Sequence, residues 1–147
     1  MKSILAATDG SEAAAEALDF AIALARETGA ELEVLAVTPP RILSKGGAAP
    51  PILEIEEPGG AERIATAAAE KAATASVRAH ARAAHGDPVH VIADAGEKFH
   101  ADPIAVGSRG HGAIAGVLLG SVSHGLIKRS HIPVVVVPQH AHDRVHA

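Results

Sequence analysis

The feature that most restricts the fold of this chain is a regular exchange of short, unalternating apolar runs with segments of helical period. Ile4 to Ala7 is the first run. Its lack of period-two alternation marks a strand covered on both faces. Thr8-Asp9-Gly10-Ser11 breaks the run, and Ser11 is placed to cap a helix that carries Leu18, Ala21, Ile22 and Ala25 until Gly29 stops it. Leu32 to Val37 reads as a second strand, ended by Pro39-Pro40. Residues 39 to 60, punctuated by Gly46-Gly47, Pro50-Pro51 and Pro58-Gly59-Gly60, read as a mobile surface loop. An Ala-rich helix follows from Ala61 to Ala75. Val77 to Ala84 interleaves small residues with Arg78, His80 and Arg82, as a strand near a sheet edge does. Asp87-Pro88 signals a helix start, and Ile92, Ala95 and Phe99 line one face of that helix. Ile104 to Val106 is a strand that tolerates Pro103 only at its first position. A helix over Ser121 to Arg129 and a strand over Ile132 to Val137 complete the series.

Strands alternating with helices predict an α/β chain of one domain: an open five-stranded parallel sheet, doubly wound, Rossmann-like, with helices on both faces. The domain is expected to span residues 1–138, with 139–147 as a disordered His-rich tail. In such a sheet, ligands bind beyond the carboxyl ends of the strands, where strand order reverses. That end gathers the Thr8–Ser11 loop and the loop after Val106.

Composition narrows the partners. The core must be built from small and branched side chains, since the chain has two Phe, no Trp and no Tyr. A net charge of −4 argues against nucleic acid, which needs clustered Lys and Arg. Without Cys there is no disulfide framework, thiolate nucleophile or Cys-ligated metal. No apolar run approaches the ~18 residues of a membrane span, and the first residues lack a signal-peptide core. A cytoplasmic protein with no membrane partner is the expectation. His140, His142, His146 and Asp143 read as an adventitious metal-binding terminus, not a built site.

The chemistry is concentrated in Val106-Gly107-Ser108-Arg109-Gly110-His111-Gly112, running on to Gly120-Ser121-Val122-Ser123. Glycines here let the backbone take positive φ and approach a ligand closely. Free amides at a helix start, with the positive end of its dipole, attract phosphate oxygens. Hydroxyls of Ser108, Ser121 and Ser123 are candidate donors, and Arg109 is a candidate partner for anionic oxygen. A Walker A loop is excluded because no Gly precedes a Lys. Gly110-His111-Gly112-Ala113-Ile114-Ala115 fits G-x-G-x-x-A, but it follows the fourth strand and lacks the acidic residue about 20 positions on. His111 and His124 have no acidic partner nearby in sequence, and no catalytic residue is assigned.

The stretch resembles the ATP-binding signature of the universal stress proteins, Gly-x2-Gly-x9-Gly-Ser/Thr, filled by Gly107, Gly110, Gly120 and Ser121. The resemblance extends to Ile4–Ser11, Gly86-Asp87-Pro88 and Pro133–Pro138. It implies an adenine nucleotide alpha hydrolase-like fold. It further implies that Ala7, Thr8 and Asp9 flank an adenine nucleotide, that Val37 meets adenine, and that Val106, Gly107, Gly110, Gly120, Ser121 and Val122 hold ribose and phosphates. It implies ATP, with Mg²⁺ as a companion ion, and a homodimer through Ile132 to Val137, an otherwise exposed apolar edge. The function expected is a stress-response or regulatory nucleotide binder with slow or no hydrolysis. An interaction module without nucleotide, and a slow nucleotide hydrolase or AMP transferase, stay open as alternatives.

Overall fold

The computed structural model describes residues 2–38, 41–43, 52–54, 59–109 and 120–139. In chain order they form β1 (Ser3–Thr8), α1 (Glu12–Thr28), β2 (Glu31–Thr38), β3 (Arg41–Leu43), β4 (Ile52–Glu54), α2 (Gly60–Thr74), β5 (Ala79–His85), α3 (Pro88–Lys98), β6 (Ile104–Gly107), α4 (Ser121–Arg129) and β7 (Val134–Val137). Five strands make one parallel sheet in the order β5-β2-β1-β6-β7. From β1 the chain winds outward through β2 to β5, then crosses to β6 and β7. The reversal therefore falls between β1 and β6, which is where this class of sheet opens a crevice.

The central strands are apolar on both sides because both sides are covered. Ile4, Ala6, Leu32 and Val34 pack with Leu18 and Ile22 of α1 and Ala68 and Ala72 of α2. Their sequence neighbours Leu5, Ala7 and Leu35 point the other way, against Ile92 of α3 and Leu126 of α4. Alternate residues thus feed two cores, the reason β1 shows no polar phase; β2 departs from this at its start, where Glu31 and Glu33 share one face. Ile4, Leu5, Leu32, Ile104 and Leu126 are fully buried, each worth about 1.5–3 kcal/mol of hydrophobic transfer.

Local signals end the helices where expected. The Ser11 hydroxyl accepts from Ala14 N–H at 3.2 Å at the start of α1, and Gly29 closes that helix at φ 75°. Asp87 caps α3 by accepting from His90 N–H at 3.2 Å, with Pro88 in the first turn.

The structure departs from the sequence reading in three places. Within residues 39 to 60, β3 and β4 pair antiparallel, so part of that stretch is regular structure; its other residues up to 58 lie outside the described set. β5 begins at Ala79 instead of Val77, because Ser76 turns the chain at φ 63°. β7 begins at Val134 instead of Ile132: Pro133 has no N–H to give, and Ser130 Oγ instead bonds both backbone groups of Ile132, at 2.7 and 3.0 Å. Pro133 still contributes its carbonyl, which accepts from Ile104 N at 2.9 Å. Pro103 sits one residue before β6, its carbonyl accepting from Leu5 N at 3.2 Å. Among the described residues, no helix is long and apolar enough to cross a membrane.

Candidate functional site

Parallel strands put all their carboxyl ends at one edge, and two of the loops there carry the residues of interest. After β1, the Thr8 hydroxyl accepts from Gly10 N–H at 3.1 Å, and Asp9 Oδ1 accepts from Ser11 N–H at 2.9 Å. Gly10 takes φ 82°, a left-handed turn that other residues adopt only with strain. Asp9 therefore shapes the turn, and Ser11 caps α1. Ala7 is buried at the end of β1. Val37 is half-buried on the α3/α4 face, one residue beyond Ala36, the cross-strand partner of Thr8.

The second loop leaves β6. Val106 is buried and Gly107 is the last strand residue. Ser108 is 6% exposed, and its N–H donates to the carbonyl of Val137 at 2.9 Å. Its own carbonyl accepts twice, from Gly120 N–H at 2.5 Å and from Ser123 Oγ at 3.0 Å. Arg109 is half-buried. Gly110 and the rest of 110–119, with His111 and Gly112, lie outside the described residues, as do the tail histidines at 140 and beyond.

At the far end of that loop, α4 starts on Gly120, which offers no side-chain cap. The amides of Ser121, Val122 and Ser123 belong to the first turn, where no intrahelical carbonyl is available to them. Ser121 is exposed and Val122 half-buried. Gly120 leaves room at this point, since a β-carbon there would stand 3.3 Å from Ser108 O and 3.4 Å from Arg109 Cα. Uncapped amides at the positive end of a helix, beside two residues without side chains, suit an oxyanion.

The expected positive φ is not used at the two described signature glycines. Gly120 has φ −75° and ψ 169°, and Gly107 is absent from the left-handed glycines, which are Gly10, Gly29, Gly59 and Gly86 among the described residues. Gly107 is required by proximity instead: a β-carbon there would lie 2.7 Å from the carbonyl carbon and oxygen of Ala13. Ala13 and Val137 are thus parts of the site that the sequence did not disclose. Both act through backbone atoms, which leave no trace in residue type. Ser123, expected as a ligand donor, is 2% exposed with its hydroxyl turned to the carbonyls of Ser108 and Gly120, at 3.0 and 3.1 Å.

A family model described as the universal stress protein family matches residues 1–138. The chain belongs to the universal stress protein family. It is similar to the universal stress protein YxiE of Bacillus subtilis, at 34% identity covering 91% of this chain and 97% of the relative. It is also similar to the universal stress protein MJ0531 of Methanocaldococcus jannaschii, at 34% identity over 92% of this chain and 81% of the relative. Among solved universal stress proteins, one in complex with cAMP superposes with a TM-score of 0.71 at 26% identity, covering 94% of this chain and 97% of the other. The structure of the hypothetical protein MJ0577 superposes with a TM-score of 0.73 at 25% identity, over 93% and 95% of the two chains. The Rossmann-like α/β sheet described above is the universal stress protein fold.

Proposed function

We propose that this universal stress protein binds an adenine nucleotide, ATP foremost, in the crevice between β1 and β6, and serves as a stress-response regulator that hydrolyses its ligand slowly or not at all. The observation that carries this reading is the uncapped first turn of α4 at Gly120, set beside the end of β6. In it the amides of Ser121 and Val122, the Ser121 hydroxyl and the Gly110 backbone receive phosphate oxygens, and Gly107 and Val106 border the ribose. Ala7, Thr8 and Asp9 flank the nucleotide from β1, Val37 packs against the base, and Arg109 pairs with the phosphates. The solved relative in complex with cAMP supports an adenine ligand. Among the described residues, no three His, Asp or Glu side chains gather to hold a metal, so a Mg²⁺ ion would arrive on phosphate oxygens and keep waters. Slow turnover follows from the absence of Lys between Val106 and Ser123, the residue that cradles β- and γ-phosphates in fast P-loop enzymes.

The same reading includes a homodimer through β7. Supporting it are an all-valine edge strand and Ile127 on the neighbouring helix, a large apolar side chain left 52% exposed.

Calorimetric titration with ATP, ADP, AMP and cyclic AMP tests the function. Saturable binding that Gly120→Val abolishes is the expected result. Dissociation constants all weaker than about 1 mM, with no nucleotide carried through purification, would overturn it in favour of a nucleotide-free interaction module.

A further inference from the structure

Among the described residues near the candidate cradle, Ser123 has the most deeply buried polar side chain, and its hydroxyl faces inward. It lies 3.0 Å from the carbonyl of Ser108 and 3.1 Å from that of Gly120. A serine hydroxyl has one hydrogen to give, and here two carbonyls share it. The Ser108 carbonyl also takes the Gly120 N–H at 2.5 Å, so both of its lone pairs are engaged. The Ser108 N–H is in turn held by Val137 O at 2.9 Å, tying the same residue to β7. The two ends of the stretch from 108 to 120 are therefore fastened together by bonds within the protein itself.

We propose that Ser123 is a positioning residue for nucleotide binding: it pins the carbonyl of Ser108 to the start of α4, so that the first-turn amides are aimed before a phosphate arrives. This role rests on the nucleotide-binding reading above but differs from direct contact. To reach a phosphate, the Ser123 proton would have to leave two buried carbonyls. Preorganisation of this kind raises affinity by removing the ordering cost from the binding step.

Ser123→Ala tests it without threatening the fold, because each carbonyl keeps a backbone donor: Gly120 N–H on Ser108 O, and His124 N–H at 3.0 Å on Gly120 O. Ser123→Thr restores the hydroxyl. Two readouts are needed: amide exchange at Gly120 in the nucleotide-free protein, and affinity for ATP, AMP and adenosine. Positioning predicts that Ser123→Ala speeds Gly120 exchange and weakens ATP and AMP by about five- to tenfold. Adenosine, which has no phosphate to place, should be unaffected, and Ser123→Thr should recover most of both losses. Weaker ATP binding with unchanged Gly120 exchange would overturn the proposal and make Ser123 a direct ligand donor. Unchanged affinity would overturn it as well. Wild-type protein that binds no adenine nucleotide would defeat the functional reading itself, and Gly120 exchange would then report the fastening alone.

Discussion

The α-carbon of Gly107 lies against the backbone of Ala13, so close that a β-carbon on it would stand 2.7 Å from both the carbonyl carbon and oxygen of that residue. The end of β6 and the first turn of α1 therefore share a contact that only glycine permits. It joins the two halves of the crevice, one built after β1 and the other after β6.

Gly107→Ala should be destabilising and should also weaken nucleotide binding, since a helix backbone cannot yield as a side chain can. The cost expected from such overpacking is about 1–3 kcal/mol. Urea denaturation and ATP titration of the variant check it; a stable variant with full affinity would show that β6 and α1 can separate freely.

The opposite end of the sheet offers a stability test unrelated to the site. Glu33 is buried on β2 and accepts from Arg82 Nε of β5 at 2.7 Å, while the same guanidinium lies 4.4 Å from the ring centroid of Phe99 at the end of α3. Arg82→Ala would strand a buried carboxylate, at about 1–3 kcal/mol for a charged hydrogen bond. Adding Glu33→Gln should recover part of the loss, because a neutral amide is cheaper to leave unpaired. Chemical denaturation of both variants gives the answer.

Acid sensitivity should trace in part to Asp87. The His90 ring, through its side-chain hydrogen bond, holds this carboxyl below the ordinary aspartate value, with the His90 backbone N–H and the more distant Arg129 acting in the same direction. A carboxyl depressed in the folded state stabilises it above the unfolded value, and that contribution is lost as pH falls through the folded one, below about pH 4. Asp87→Asn keeps a cap for α3 but removes the titration. Its thermal stability should fall less than that of the wild type between about pH 5 and pH 3.

Self-association should run through outward-facing backbone on β7. The carbonyls of Pro133 and Val137 point to β6, accepting from Ile104 and Ser108 at 2.9 Å each. Strand alternation then turns the N–H groups of Val134 and Val136 outward. Val136→Pro removes one of them without costing a bond to β6, and edge strands tolerate proline. Analytical ultracentrifugation should find the wild type dimeric and the variant monomeric.

What the sequence determined by itself were features encoded within a few residues of one another. The apolar runs at β1 and β6, the caps at Ser11 and Asp87, the stop at Gly29, the helix from Ser121 to Arg129 and the Gly107–Ser121 signature could all be read directly. Each depends on backbone propensity, capping or periodicity inside one element, except the Gly107–Ser121 signature, which was legible through its resemblance to the universal stress proteins. The short β3–β4 pairing, the late start of β7 and the contacts that build the crevice were decided elsewhere. Gly107 needs to be glycine because of Ala13, and Ser123 faces inward because Ser108 lies beneath it. Glu33 is tolerable in the interior because Arg82 sits on the next strand. These relationships arise only when elements far apart in the chain are packed, and packing at interior density leaves no slack for a residue chosen on local grounds alone.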